Sequence, residues 1–355
     1  MEFTDETLQI AIFMWFDNRE LAIEKYGHIS KWQTGKVTNM TGLFWNKKTF
    51  DDDISQWDVS NVTSMMNMFS GATNFNQDIG KWDVSNVTDM SKMFQHAKNF
   101  NQDIGNWITS NVTDMSWMFC NAYEFNQYIG NWITSNVTDM NNMFRNALIF
   151  NQDIGGWNVG KVTDMSGMFY GTSFNRNIGD WDTGKVTDMS YMFYNAIEFN
   201  RNIGNWNTGK VIYMNQMFCN AKNFNQDIGN WNVSKVTDME EMFHNAQSFN
   251  QDIGEWNVSK VTNMSIMFYN AKNFNQDIGN WDVSKVTNMC CMFEFAENFN
   301  QDISNWNVGK ETDTFFMFCG ATSFDQDISK WKTTKNIDPI KIFNNILSGI
   351  FSLGD

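Results

Sequence analysis

Histidine and proline are scarce in this chain of 355 residues, which contains three histidines and one proline. The histidines, His28, His96 and His244, lie far apart in the sequence, so we expect no His–Cys or Ser–His–Asp set to assemble unless the chain closes on itself. The sequence also lacks a Cys-x-x-Cys pair, a phosphate-binding glycine loop and paired metal-binding histidines. We therefore predict that the protein is not an enzyme, with no catalytic residues, no cofactor-binding residues and no cofactor.

Long hydrophobic runs and a basic leader are also missing. The apolar run at residues 8–16 is too short to span a bilayer. The chain starts with the acidic residues Glu2, Asp5 and Glu6, where a secretory signal would be basic. We expect neither a signal peptide nor a membrane span.

Positive charge is in the minority, with 25 lysines and arginines against 40 aspartates and glutamates and a net charge of −15. A surface of this sign is repelled by nucleic-acid phosphates and by anionic lipids. We expect no nucleic-acid partner, and a protein partner or self-association instead.

Tryptophan, in contrast, is abundant and periodic. Thirteen tryptophans follow one another at intervals of 25 residues, with a single interval of 24 before Trp181: Trp32, Trp57, Trp82, Trp107, Trp132, Trp157, Trp181, Trp206, Trp231, Trp256, Trp281, Trp306 and Trp331. A fixed period of this size is typical of a solenoid, in which each turn buries its apolar face against its neighbours. Such an array presents a long surface and usually no catalytic pocket.

The repeat pattern predicts one short helix and one short strand per turn. In residues 82–106 the apolar positions recur at i, i+3, i+6, i+7 and i+10, which favours a short α- or 3₁₀-helix: Val87, Met90, Met93, Phe94 and Ala97. Phe100 and Ile104 can then face the same side of an extended segment, and Gly105 permits a turn. The predicted fold is an α/β repeat solenoid with helical caps at both ends.

The N-terminal segment departs from the repeat, as the ends of solenoids do. Residues 1–28 predict a helical cap of two helices. The first runs from about Thr4 to Phe16, and the second from Asp17, which makes a capping-box-like pair with Glu20, to Gly27.

The C-terminal segment, residues 332–355, predicts a capping helix that starts at Asp338 and Pro339. Its apolar stripe would cover the last turn. Between the two caps, residues 29–331 predict one solenoid of about twelve repeats.

The five cysteines are not expected to form disulfides. Cys120, Cys219 and Cys319 occupy the same repeat position, directly after a Met-Phe pair, four repeats apart. At a sheet-like spacing of about 5 Å per turn these thiols are about 20 Å apart, whereas a disulfide needs Cα atoms within about 7 Å. A bond between Cys290 and Cys291 would be strained. Unpaired cysteines favour a reducing compartment, such as the cytoplasm, or a virion.

An asparagine follows the second phenylalanine of most repeats and predicts a polar ladder along the array. We expect these side chains to bond backbone groups at a bend, or one another, because buried polar groups are paired. The ladder consists of Asn76, Asn101, Asn126, Asn151, Asn175, Asn200, Asn225, Asn250, Asn275 and Asn300.

An aspartate two residues further on forms a second ladder: Asp53, Asp78, Asp103, Asp153, Asp227, Asp252, Asp277, Asp302 and Asp327. Carboxylates stacked in this way must be exposed, hydrogen-bonded to turn N–H groups, or bridged by cations. We predict turn bonding and no metal site, because calcium-binding repeats present denser Gly-Asp motifs. The alternative, a cation ladder, has as its candidate ligands Asp227, Asp252, Asp277 and Asp302.

The aspartate ladder is interrupted between about residues 128 and 213. Tyrosine or asparagine replaces the aspartate there, and arginine twice replaces the preceding glutamine. Because arginine and tyrosine are enriched at binding hot spots, we predict a partner-binding zone. Its candidate residues are Tyr128, Arg176, Asn177, Arg201, Asn202 and Tyr194. Neutral drift among the repeats is the alternative explanation.

The repeated phrase Val-Thr-Asp-Met-Ser-x-Met-Phe-x-x-Ala-x-x-Phe-Asn-Gln-Asp-Ile-Gly-x-Trp closely resembles the repeats of BspA-like leucine-rich-repeat surface proteins, of the type first catalogued as a mycoplasma domain of unknown function. The resemblance covers nearly all of residues 29–331. It implies a leucine-rich-repeat-like solenoid, and adhesion or protein binding at a cell surface.

Three functions are consistent with this sequence. The first is a non-enzymatic protein-binding or adhesion scaffold that uses the solenoid surface. The second is a structural or self-assembling protein of a layer or virion. The third is a cation-stabilised adhesin. The cysteines favour a cytoplasmic or virion location, whereas the family resemblance implies the cell surface.

Overall fold

The computed structural model describes residues 2–333. The chain divides into two compact units, Met1–Asp182 and Thr183–Asp355, each of them built from consecutive repeats. From residue 334 onward, the predicted C-terminal capping helix lies outside the described residues.

The first unit begins with two α-helices. Helix α1 spans Asp5–Asp17, helix α2 spans Arg19–Tyr26, and a one-turn 3₁₀ helix follows at Ile29–Lys31. The predicted pair of helices is confirmed, but the predicted capping pair of Asp17 and Glu20 is wrong. Asp17 is still the last residue of α1, and the Asn18 side chain accepts the N–H of Leu21 as the N-cap of α2.

The repeats themselves contain neither the predicted helix nor the predicted strand. From residue 32 to residue 333 the described backbone consists of turns, segments without regular secondary structure and isolated parallel bridges, which recur once per repeat from residue 39 onward. In the first unit the bridges join residues 39, 64, 89, 114, 139 and 164, and in the second they join residues 188, 213, 238, 263, 288 and 313. Each unit is therefore a repeat solenoid, but its turns are not α/β units.

The segment that was predicted to be helical is instead a series of tight turns. The N–H groups of Met90 and Lys92 donate to the carbonyls of Asp114 and Ser116 in the next repeat, at 3.1 and 2.8 Å. The N–H of Met93 instead closes a turn within the repeat onto the Met90 carbonyl, at 3.2 Å. Bonds to the next repeat thus alternate with bonds inside the repeat, and together they pair the backbone of this segment.

Two residues of each such segment have left-handed backbone conformations. In the repeat just described they are Lys92, at φ 57°, and His96, at φ 59°. A continuous α-helix needs negative φ at every residue, so these positions break it. The turn that closes over three residues still places apolar side chains at i and i+3, and this is why the periodicity predicted a helix.

The core of each unit consists of stacked aromatic columns. Phe94 stacks on Phe119 of the next repeat at 5.6 Å and on Phe100 of its own repeat at 3.9 Å between ring centroids. The Trp107 ring stacks on Trp132 at 6.3 Å, and its indole Nε1 donates to the Ile79 carbonyl of the preceding repeat at 3.1 Å. Every tryptophan of the series is buried, and the indole N–H bonds a backbone carbonyl at Trp32, Trp57, Trp82, Trp107, Trp132, Trp157, Trp181, Trp231, Trp256, Trp281, Trp306 and Trp331, as a buried tryptophan requires.

Candidate functional site

The asparagine ladder runs along one edge of each unit and is confirmed as a structural device. The Asn101 Oδ1 accepts the backbone N–H of Asn126 at 3.0 Å and the Gln127 Nε2 at 3.1 Å. Asparagines of the second unit make the same bonds, with Asn225 accepting from the next repeat. We call the surface formed by the Gln and Asp positions that follow this ladder the Gln–Asp edge, as at residues 102–103 and 226–227.

The aspartates of the Gln–Asp edge bond their own turns. The Oδ1 atoms of the four candidate metal ligands each accept the N–H of the residue two positions later at 2.9 Å: Asp227, Asp252, Asp277 and Asp302. For Asp302 the backbone N–H of Ser304, followed by the Ser304 hydroxyl, lowers the pKa of the carboxyl. Turn bonding is thus the observed role, and cation binding by this ladder stays the untested alternative.

The predicted partner-binding substitutions leave this turn intact. The Asn177 Oδ1 accepts the Gly179 N–H at 3.1 Å, and the Asn202 Oδ1 accepts the Gly204 N–H at 2.9 Å. The Arg176 Nε donates to the Asn151 carbonyl at 2.8 Å, a bond that glutamine makes in other repeats. These residues therefore change the charge of the edge without changing its backbone.

The candidate residues fall into the two units and onto two surfaces. Arg176 and Asn177 are exposed on the edge of the first unit, where Tyr128 is 47% exposed. Arg201 and Asn202 are exposed on the edge of the second unit. Tyr194 lies on a different surface from these residues. It directly follows Phe193 in the repeat, and its hydroxyl hydrogen-bonds the Cys219 thiol.

A second surface, which we call the turn face, is formed by the residue after each Met-Phe pair and by the left-handed residue between the two methionines. In the first unit this position carries Trp45, which follows Leu43 and Phe44 instead of Met-Phe, and then Ser70, Gln95, Cys120, Arg145 and Tyr170. In the second unit it carries Tyr194, Cys219, His244, Tyr269, Glu294 and Cys319. This position varies from repeat to repeat and carries several reactive groups, among them Cys120, Cys219, His244 and Cys319.

Cys219, Glu241 and His244 meet on the turn face of the second unit. The Cys219 Sγ lies 3.7 Å from the Glu241 Oε2, which lies 3.1 Å from the His244 Nδ1. The expectation that no His–Cys set assembles is therefore wrong. Cys219 and His244 are 25 residues apart, which places them one above the other at the same position of successive repeats. That spacing was the sequence signal for this cluster.

The protonation of the cluster is governed by burial and by its own contacts. Burial and the neighbouring Glu241 raise the pKa of the Cys219 thiol to about 12. The hydrogen bond from His244 lowers the pKa of Glu241. The thiol is thus protonated at neutral pH, so it is not poised as a nucleophile.

The corresponding position of the first unit has different chemistry. Burial raises the pKa of the Cys120 thiol to about 11. The next repeat carries Arg145, whose guanidinium lies 3.8 Å from the ring centroid of Tyr170. An arginine is not a metal ligand, so the cysteine of the first unit lacks the partners that Cys219 has.

All five cysteines are free, as predicted. Cys120, Cys219 and Cys319 are buried, and the sulfur atoms of Cys290 and Cys291 are 3.4 Å apart without a bond.

A second carboxylate column lies at the bridge position of the first unit and was missed by the sequence reasoning. Asp139 sits between Asp114 and Asp164 in the bridge ladder. Burial raises the pKa of its carboxyl, the N–H of Asn141 works in the opposite direction, and the two neighbouring aspartates raise it further.

Among the described residues, no helix has the length and apolar character needed to cross a membrane.

The comparisons with known proteins identify the repeat. The family described as "Mycoplasma protein of unknown function, DUF285" matches four overlapping segments, residues 12–116, 99–180, 171–268 and 249–349. This confirms the mycoplasma-type repeat, although it does not carry the BspA-like name. A search of curated proteins finds no match.

The chain is also similar to a solved structure, that of a TLR13–ssRNA13 complex. The similarity has 10% sequence identity and a TM-score of 0.23 and covers 88% of this chain. The chain spans about half the length of that matched chain, 52%. With the family matches extending over more than half of its length, the chain belongs to the DUF285 family of mycoplasma-type proteins of unknown function.

Proposed function

We propose that the protein is a non-enzymatic protein-binding scaffold that presents the Gln–Asp edge to its partner. The observation that carries the proposal is the change of charge at constant backbone in two successive repeats. Arg176 with Asn177 in the first unit, and Arg201 with Asn202 in the second, stand where other repeats have glutamine and aspartate.

The fold does not require these substitutions. Asparagine and aspartate accept the same turn N–H, as Asn202 and Asp227 show at 2.9 Å each. Arg176 and Gln152 donate to the same kind of asparagine carbonyl at 2.8 Å. The exposed side chains can therefore vary while the backbone of the repeat stays the same, which is the property that a binding scaffold needs.

The chemistry of the substitutions suits a protein partner with acidic or carbonyl groups. Each Arg–Asn pair replaces a negative charge by a positive one on an otherwise acidic edge. Arginine presents several donors in a planar fork and recognises carboxylates bidentately. We place the contact at each pair separately, with Tyr128 as an additional aromatic contact in the first unit.

Restoring the common phrase of the repeat tests the proposal. In one variant Arg176→Gln and Asn177→Asp are combined, and in a second Arg201→Gln and Asn202→Asp are combined. Tagged full-length chains are used to capture proteins from lysate of the source organism, and the captured proteins are compared by mass spectrometry. We expect a protein captured by the native chain to be lost or strongly reduced in at least one of the two variants.

The control has the same change of charge away from the edge. Lys260→Gln combined with Asn257→Asp also removes a positive charge and adds a negative one. The turn is kept, because Asn257 accepts the Ser259 N–H at 3.2 Å and aspartate accepts equally well. Equal capture by the native chain, both edge variants and this control would defeat the proposal.

Self-assembly into a layer or virion and cation-stabilised adhesion remain as alternative functions. Concentration-dependent growth in light scattering would favour the first. A melting temperature that falls when a calcium chelator is added would favour the second. A location at the cell surface, as in the BspA-like proteins that the repeat phrase resembles, is a further part of the proposal and is tested by localising the chain in its source organism.

A further inference from the structure

We propose that Cys219, Glu241 and His244 form a binding site for a divalent transition-metal ion of the Zn²⁺ class on the turn face of the second unit. Within residues 2–333 they are the one group of at least three cysteine, histidine or carboxylate side chains whose ligand atoms lie within 4.8 Å of one another. The site is independent of the Gln–Asp edge and of the proposed binding function.

The geometry fits tetrahedral coordination. Bonds of about 2.0–2.3 Å to sulfur, nitrogen and oxygen put a nitrogen and an oxygen ligand about 3.4 Å apart, and a sulfur and an oxygen ligand about 3.6 Å apart. The observed separations are 3.1 Å between the His244 Nδ1 and the Glu241 Oε2, and 3.7 Å between that oxygen and the Cys219 Sγ. These two pairs therefore need shifts of only a few tenths of an ångström, and the Cys219 sulfur lies within 4.8 Å of the His244 ligand nitrogen.

The donor set also matches the ion. Thiolate, imidazole and carboxylate are the three side-chain ligands of protein zinc sites, and three protein ligands leave a fourth position for water. Hard oxygen-preferring ions such as Ca²⁺ and Mg²⁺ are disfavoured by the sulfur and nitrogen ligands.

The surroundings hold the ligands in place. The Asn220 Nδ2 lies 3.6 Å from the Cys219 Sγ, where an N–H donor supports a thiolate. The His244 ring packs edge-on against Tyr269, with centroids 4.9 Å apart. Outer contacts of this kind orient metal ligands. Because metal binding releases the thiol proton, the ion itself provides the charge that the buried thiolate needs.

The first unit provides a natural negative comparison. Cys120 occupies the same repeat position as Cys219 and is equally buried, but Arg145 follows it where His244 follows Cys219. The proposal thus predicts binding at one cysteine and not at the other.

Titration of the full-length chain with Zn²⁺ by calorimetry, and with Co²⁺ by absorption spectroscopy, tests the site under reducing conditions. We expect one ion per chain, a thiolate-to-cobalt charge-transfer band and visible bands of tetrahedral intensity. Cys219→Ser and His244→Ala should each weaken binding by more than the roughly 10–100-fold caused by loss of an outer-shell partner. His244→Arg, which copies the first unit, should abolish the bands, whereas Cys120→Ser should leave them unchanged.

The Cys291→Ser variant tests whether the metal ion binds instead at the adjacent thiols of Cys290 and Cys291. Binding that persists in Cys219→Ser and disappears in Cys291→Ser would overturn the assignment, as would absence of binding to the native chain. Circular dichroism and the melting temperature of each metal-free variant show whether it is folded. Should Cys219→Ser fail to fold, the two His244 variants and Glu241→Gln decide the question, since the His244 and Glu241 side chains are 24% and 22% exposed and Cys219 is buried.

Discussion

Along the edge of each unit, single side chains take the place of backbone carbonyls as hydrogen-bond acceptors. Asn101 lies where the chain bends, and its carboxamide oxygen accepts a backbone N–H and a glutamine N–H of the next repeat. The first rung achieves the same bond with a different residue, because the Asp51 Oδ1 accepts the Asn76 N–H at 2.9 Å. The acceptor oxygen, and not the amide group, is therefore what the position requires.

Asn101→Ala should destabilise the first unit by about 1–3 kcal/mol, because it leaves the partly buried Asn126 N–H without its acceptor. Asn101→Asp keeps that acceptor and should cost much less. Chemical denaturation measures both. A destabilisation of the alanine variant no larger than that of the aspartate variant would show that the ladder bond is unimportant.

Asp139→Asn should stabilise the first unit at neutral pH by roughly 0.5–1 kcal/mol, since it removes like-charge contacts with the carboxylates of the adjacent rungs. The pKa of Asp139 is raised above 3.8, so its ionised form disfavours folding. The gain should therefore be present above the raised pKa and disappear as pH falls through it. Asparagine fits this position, as Asn263 and Asn288 show in the second unit.

Denaturation at neutral and acidic pH compares this variant with Asp153→Asn, an exposed change on the Gln–Asp edge. The comparison variant should change the stability little, because its turn bond to Gly155 is kept. A destabilised Asp139→Asn variant would contradict the electrostatic interpretation.

At the scale of elements, the sequence predicted the repeat correctly, but the helix and strand that it predicted within each repeat are wrong. The tryptophan period located every turn, and the apolar spacing identified the core residues. The same spacing arises from a helix and from a chain of three-residue turns, so it did not distinguish them. The distinguishing signal was the residue before the position that is alanine in most repeats. It is asparagine or glycine in most repeats and has positive φ: Asn46, Gly71, Asn121, Asn146, Gly171, Asn195, Asn220, Asn245, Asn270 and Gly320. These two residue types tolerate the left-handed conformation best.

The candidate site was predictable only in part. The Arg–Asn pairs were found from a departure in composition, and the structure explains why they are tolerated. The Cys219–Glu241–His244 cluster was missed because residues that stack on successive turns are distant in sequence. Glu241 also occupies a left-handed position, at φ 52°, and the helix pattern gave no indication of this.

Two carboxylates attach the N-terminal helices to the repeats. Asp52 accepts the indole N–H of Trp15 at 2.9 Å and pairs with Arg19, and Asp5 bonds the start of helix α1 to the first repeat. Asp5 accepts the N–H and hydroxyl of Thr38 at 2.7 and 2.8 Å and the N–H of Asn39 at 3.1 Å. Burial disfavours the charged form, but these three bonds outweigh it and lower the pKa of Asp5. Its contribution to stability is thus present above the ordinary value of 3.8 and is lost as pH falls through the lower folded value.

Asp5→Ala should loosen the first turn of helix α1 at a cost of about 1–3 kcal/mol, the range for leaving such donors unpaired. Glu6→Ala is the matched control, because it removes an exposed acid from the same helical turn. Hydrogen exchange of the α1 amides measures the effect. Equal protection in the two variants would show that Asp5 does not anchor the helix.

At the scale of the whole molecule, the protein has a net charge of −15. The positive charge of each Arg–Asn pair on the Gln–Asp edge is therefore a local exception. Repeat proteins distribute stability over nearest-neighbour contacts, so a substitution on the outer edge alters the surface without threatening the fold. The proposed binding function rests on this independence of the exposed side chains from the stability of the fold. It also predicts that the edge variants melt at the temperature of the native chain.

The most direct test of the binding role is an equilibrium titration of the captured partner with the native chain and with the two edge variants. Loss of a binding hot spot costs more than about 1 kcal/mol, so at least one variant should bind roughly 10-fold more weakly. The charge-matched Lys260→Gln and Asn257→Asp control should retain the native affinity. Equal affinities for the native chain and both edge variants would contradict the account.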